Sequence, residues 1–297
     1  MSLFEKGFND YFKSGRIFGS PIIDQDSLCS VSLKMLFRDQ VLAKGSGFFW
    51  KMQEGPAIVT AWHNLTGLHH TTRQPLSATG GMPDRVRIRY MTSNPKGFQE
   101  HEIPLYLDDK MERPRWIVHK EVGSYFDMAA LMVNIHGIKE FNHVNERFER
   151  LNTYIPPGSE LFVVGFPLGV ALLDTFPVWK RASLATEMSL PTHGHPKFLV
   201  DATGRGGMSG SPVYRIQRGA ITLANGLGLG TKKEFIGLYS GRVPIENTRE
   251  SSELGFVWRP EIVEEFLKNW TLDEKPEPGK GSITLKEHFG TDERTIS

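Results

Sequence analysis

The chain has 297 residues, 39% of them hydrophobic, and a formal net charge of +1 at neutral pH. Such a composition supports a sizeable buried core, while the near-zero charge supplies no global field to draw the chain to nucleic acid or an anionic membrane. The one cysteine, Cys29, excludes an intrachain disulfide and favours a reducing compartment. No apolar run is long enough to span a bilayer, and the opening "MSLFEKGFNDYFKSGRIFG" lacks the apolar segment of a secretory leader. The expected location is the cytoplasm.

In chain order, residues 2–13 place Leu3, Phe4, Phe8, Tyr11 and Phe12 on one rough face, which predicts a helix within an N-terminal extension, 1–27. From there, short apolar runs bounded by glycine, proline or asparagine recur: 45–50, 56–63, 84–91, 127–134, 159–167, 211–216, 234–241 and 254–260. Their lengths and their β-branched and aromatic content predict strands. In "RVRIRY" charged and apolar residues alternate, as on a strand with one wet face. The pattern suits two antiparallel barrels or a sandwich. "RPEIVEEFLKNW" (259–270) reads as a helix, with Pro260 at its start and Ile262, Val263, Phe266 and Leu267 at helical spacing. Residues 272–297 are polar and rich in proline, glycine and charge, and read as a tail that is mobile or packs only on a partner or the domain surface.

The chemistry gathers at "GRGGMSGSPVY", Gly204 to Tyr214, where four glycines crowd Ser209. A serine hydroxyl needs a base to take its proton, and a tetrahedral intermediate needs donors for its oxyanion. Glycines permit the dihedrals that turn successive N–H groups inward, and Gly207 and Ser209 would supply two such amides. Of ten histidines, His63 follows the apolar run "AIVTAW", a rigid mount for a base, preceded by the small, flexible-looking "GSGFFW". For the acid that orients it, Asp127 heads the apolar run "MAALMV", where a carboxylate is buried and needs a partner. Asp108 and Asp109 lie in the same interval, in a polar context without a following strand, and remain the alternatives.

In order, "GSGFFW…IVTAWH", "FDMAALMV", "GFPLG" and "GMSGSPVY…IGLYSG" resemble the chymotrypsin-like (trypsin-fold) serine peptidases, in particular bacterial and phage members. The resemblance implies an all-β fold of two antiparallel six-stranded barrels with N- and C-terminal helices. The peptidase domain would run over 28–271, with the barrels meeting at about 140–158. It implies His63 as general base, Asp127 as its orienter and Ser209 as nucleophile, with the Gly207 and Ser209 amides as oxyanion hole. It also implies a specificity pocket walled by 203–207 and the "LYSGR" strand, with Thr203 near its base and Ser240, Gly241 and Arg242 along the substrate. Thr203 is neutral, which gives no support to a demand for Arg or Lys, and Arg242 would favour an acidic side chain unless it faces solvent. Met208 stands where animal digestive members carry an aspartate that pairs with a freshly cut N-terminus, so activation of that kind is not expected. The interval from His63 to Asp127 is longer than in compact members, and 67–119 is expected to add surface loops flanking the cleft.

The function expected is therefore a serine endopeptidase acting on polypeptides, with no cofactor or metal and with a regulatory protein partner as a further expectation. The alternatives are a catalytically silent peptide-binding protein and an esterase on the same machinery. The close pairs His69–His70 and His193–His195 lack a cysteine or acidic partner at ligand spacing and read as loop histidines.

Overall fold

The computed structural model describes residues 23–77, 79–91, 98–133, 141–151, 153–167, 176–223, 226–244 and 251–279. The helix expected over 2–13 lies outside them. A 3₁₀ turn, Gln25–Cys29, leads into the first sheet. Its strands are β1 (Ser30–Phe37), β2 (Gln40–Met52), β3 (Gly55–Thr60), β4 (Arg85–Met91), β5 (Phe98–Pro104), β6 (Trp116–His119) and β7 (Ala129–Met132). The second sheet holds β8 (Glu149–Arg150), β9 (Glu160–Gly165), β10 (Val178–Leu184), β11 (Lys197–Asp201), β12 (Ser211–Leu223), β13 (Gly226–Pro244) and β14 (Ser251–Trp258). Three short helices among the described residues interrupt them: α1 (Trp62–Thr66), α2 (Val144–Arg147) and α3 (Pro260–Phe266). No helix among the described residues is long and apolar enough to cross a membrane.

Both sheets are antiparallel barrels, apart from the parallel edge strand β8. In the second, β12 pairs with both β9 and β13, which closes the ring β9-β10-β11-β14-β13-β12. The first runs β6-β7-β3-β2-β1-β4-β5, and closes where the chain just past β5 meets the chain just before β6: Arg115 N donates to the Leu105 carbonyl at 2.9 Å and Leu107 N to the Arg113 carbonyl at 2.8 Å. Closure removes the exposed edges that a sandwich would leave. The alternation in "RVRIRY" behaves as the two-residue period requires. Val86, Ile88 and Tyr90 are buried, while Arg87 points outward to the Glu102 carboxylate on β5, directly across the ladder.

The expected surface loops of 67–119 are only partly so. Much of the stretch is β4, β5 and β6, and Leu105 and Tyr106 sit in the first barrel's core. Asp108 serves the turn that closes the barrel, its carboxylate accepting the N–H groups of Lys110, Glu112 and Arg113. Those bonds, with the Glu112 N–H contributing most, hold its carboxyl below the usual range.

The two barrels share one apolar seam. Phe48, Trp50 and Val59 from the first pack with Val164, Tyr214, Leu238 and Trp258 from the second, and with Val263 and Phe266 of α3. The C-terminal helix is shorter than 259–270 suggests. It stops at Phe266 because Trp270 belongs to a further strand, β15 (Trp270–Leu272), which crosses back and pairs with β6 of the first barrel. Of the two fates open to the polar segment, its first residues take packing on the domain surface. Asp273 Oδ2 accepts the indole N–H of both Trp62 and Trp116 at 2.7 Å each, and both rings are fully buried. Polar composition masks this because one carboxylate, not an apolar run, makes the anchor. Asp273→Ala leaves two buried donors unpaired and is expected to lower the unfolding free energy by about 2 kcal/mol or more, read from the urea midpoint. Asp273→Asn, whose amide oxygen still accepts, should lose less.

Candidate active site

His63 rides on α1, a single turn pinned on both sides. Trp62 before it is fully buried and stacked under the Arg73 guanidinium at 4.2 Å, and Asn64 and Leu65 after it are buried too. Gly67, in the left-handed region at φ 71°, ends the turn and donates its N–H to the His63 carbonyl. The Asp127 carboxylate, 1% exposed, grips the residue twice. Its Oδ1 accepts the His63 backbone N–H at 3.1 Å, and its Oδ2 lies 2.8 Å from Nδ1. The Ser240 hydroxyl donates to the same Oδ2 at 2.6 Å. An Nδ1–H bound to the carboxylate leaves Nε2 as the free basic nitrogen. Burial resists charging the imidazole, but the Asp127 charge and hydrogen bond outweigh it, so His63 protonates more readily than an ordinary histidine. Burial likewise favours a neutral Asp127, and the His63 partner, with His70 and Ser240 behind it, reverses this and holds the carboxyl well below the usual range.

The loop before β12 carries Ser209. Gly207 (φ 89°) and Gly210 (φ 87°) both occupy the left-handed region. Neither the Gly207 nor the Ser209 N–H is taken up by a backbone hydrogen bond among the described residues. Met208 between them is buried in the second barrel's core, which gives this position an apolar role in place of an acid's. The loop is fastened to the first barrel by Ser46. Its hydroxyl donates to the Gly207 carbonyl at 2.7 Å, and its N–H donates to the Ser209 carbonyl at 3.0 Å. Asn64 Nδ2 reaches the Ser209 carbonyl as well, at 2.9 Å. A Cβ on residue 210 would stand 2.1 Å from the Ser46 carbonyl oxygen and 2.3 Å from Thr60 Oγ1. Gly210→Ala is therefore expected to cost about 3 kcal/mol or more in a chemical-denaturation experiment, from backbone strain and a clash with main chain.

His63, Asp127, Ser209, Ser240, Gly241 and Arg242 line one cleft between the barrels. Gly241 faces Ser209, its missing Cβ lying 3.8 Å from Ser209 Oγ. The hydrogen bonds that Ser209 makes end on its carbonyl oxygen, and none joins its hydroxyl to the imidazole in this conformation. Thr203 is exposed and stands outside the cleft's lining. Behind it, the Tyr239 hydroxyl and the Arg242 stem fill the space beside Gly204, where a Cβ would meet them at 2.6 and 2.5 Å. Arg242 is exposed at its outer end.

Three features escape motif reading. Ser46 and Asn64 tie the serine loop to the histidine turn, and the sign of it was the "GSG" at 45–47. These glycines sit in strand β2 and allow close approach, since a Cβ at Gly45 would meet the Asn64 side chain at 2.7 Å. Ser240 holds Asp127 through its hydroxyl, beyond the substrate-side role the resemblance implies. The histidines at 69, 70, 193 and 195, read singly as loop residues, converge on the cleft wall together with Lys197.

No protein-family model matches the sequence, and no curated protein sequence matches it. Among solved structures, the chain is similar to the active form of the Rv3671c protease from M. tuberculosis, at 17% identity over 85% of each chain with a TM-score of 0.46. It is similar to the thermostable serine protease AL20 from an extremophilic microorganism, at 13% identity over 82% of this chain and 98% of that one, TM-score 0.47. The serine endoprotease from Yersinia pestis is similar at 11% identity over 83% of this chain and 66% of that one, TM-score 0.46.

Proposed function

We propose that the protein is a trypsin-like serine endopeptidase, with His63, Asp127 and Ser209 as its triad. The observation that carries this reading is the buried Asp127 carboxylate, bonded to both the backbone N–H and Nδ1 of a histidine that shares a cleft with the glycine-flanked Ser209. In the reaction, Ser209 Oγ attacks the scissile carbonyl carbon and its proton passes to His63 Nε2. The imidazolium then gives that proton to the departing amine, and water repeats the sequence on the acyl-enzyme. Asp127 keeps the ring in the right tautomer and stabilises its charge. The Gly207 and Ser209 amides receive the oxyanion, a contribution of about 10²–10³ in rate for each donor. An extended substrate would add as a strand beside Ser240–Arg242, and the proposed site of action is the cytoplasm.

One observation favours a second reading, a silent peptide-binding protein: the hydrogen bond from the Ser209 hydroxyl to the imidazole has yet to form in this conformation. Peptidase clefts commonly tighten this bond when substrate enters. A fluorophosphonate probe separates the two. Covalent labelling of the native chain, absent from Ser209→Ala, supports the peptidase. A native chain that binds peptides and stays unlabelled is a binding protein.

A further inference from the structure

β11 opens with Lys197, whose side chain runs along the cleft wall and is only 7% exposed. Its ammonium lies 4.1 Å from the Phe256 ring centre and 5.4 Å from that of Trp258. Among the described residues no carboxylate lies within ion-pair distance of it. Aromatic faces offset part of the cost of burying an ammonium, but leave its N–H donors without an anion.

Among the described residues the neighbourhood adds more potential cations, and Asp127 is the one acid whose charge is felt at Lys197. His195 stacks on Tyr125 at 4.7 Å and meets the Trp258 ring edge-on. His70 stacks on His69, and its Nδ1 lies 4.0 Å from Asp127 Oδ2. Burial first, and then the Lys197 charge among others, lowers His195 to about 4, and burial with the neighbouring cations lowers His70 to about 4 against the pull of Asp127. Among the described residues Asp127 is the one carboxylate on the cleft's lining, and His63 and Ser240 already occupy it.

The geometry points to a carboxylate-binding subsite centred on Lys197, which takes an acidic group of a bound peptide at the wall of the cleft. This rests on the reading of the cleft as a peptide site. A substrate carboxylate entering there supplies a direct ion-pair partner, which Lys197 lacks among the described residues, and it is worth most where water is excluded. The acidic group is either an Asp or Glu side chain or a chain-terminal carboxylate, since both present the same two oxygens.

The test is fluorescence anisotropy on the full chain carrying Ser209→Ala, so that binding is read without turnover. Labelled peptides differ by Glu against Gln at each position in turn, and by a free against an amidated C-terminus, which separates the two sources. The expected result is binding about tenfold or more tighter for one acidic form than for its neutral twin, with the preference lost in Lys197→Met and kept in Lys197→Arg. Equal binding of acidic and neutral twins overturns the subsite. So does a preference that survives Lys197→Met and disappears with Arg242→Met. Should Lys197→Met fail to fold, the comparison of twins on the Lys197 chain still decides. Hydrolysis of the same peptides by the native chain keeps the two readings apart: cleavage without acidic preference removes the subsite alone, and acidic preference without cleavage removes the peptidase alone.

Discussion

Ser209→Ala is expected to reduce peptide hydrolysis by about 10⁴–10⁶ while leaving the fold intact, the range over which other serine proteases fall when the nucleophile is removed. The physical reason is local. The hydroxyl is the only part of Ser209 that the substitution deletes, and the bonds that hold the loop run through main chain: Ser46 N and Asn64 Nδ2 to the Ser209 carbonyl, and Ser46 Oγ to the Gly207 carbonyl. The Gly207 and Ser209 amides and the cleft survive, so peptide affinity should change little and the loss should appear in kcat. Steady-state kinetics on a quenched fluorescent peptide, with far-ultraviolet circular dichroism as the folding control, measures both. A drop of only a few-fold would mean that another group performs the attack.

Asp127→Asn is expected to cost on the order of 10⁴ in kcat, because the amide no longer fixes the tautomer that leaves Nε2 basic. It also carries a pH signature whose sign follows from the site. Activity needs neutral His63. In the native chain Asp127 raises the imidazole's pKa against the effect of burial, so the acid limb of kcat/KM should lie above that of an ordinary histidine. Removing the charge leaves burial unopposed, and the limb should move to lower pH in the variant. Asp109→Asn should leave both rate and profile unchanged. Asp108→Asn should act on stability alone, since Asp108 caps the turn that closes the first barrel. A pH profile that fails to shift in Asp127→Asn would remove this residue from the triad.

The strands and the residues proposed as catalytic were legible because each is encoded within a few neighbours. An apolar run ending in His63, one headed by Asp127, and glycines around Ser209 are all visible in short windows. Barrel closure was not, since it needs β12 to pair with β9, far upstream in the chain, as well as with its hairpin neighbour β13. Helical spacing at Ile262, Val263 and Phe266 was read correctly, but it cannot say that Trp270 abandons the helix to pair with His119. The same distance hid Ser46, which acts on a loop 161 residues away. It hid Lys197 too, whose meaning comes from rings on β14 and histidines from two other loops. Thr203 was carried over from a family position; it stands exposed here, and Tyr239 and Arg242 fill the space beside the next residue.

The crossing strand β15 makes the two barrels mechanically one body. The second barrel's last helix is sutured to the first through Trp270 and Leu272, and Asp273 rivets that suture to the indole next to the imidazole. Calorimetry should accordingly give a single melting peak in place of two. Anything that peeled this strip away would slacken the turn that carries His63 from behind, on the side away from the cleft.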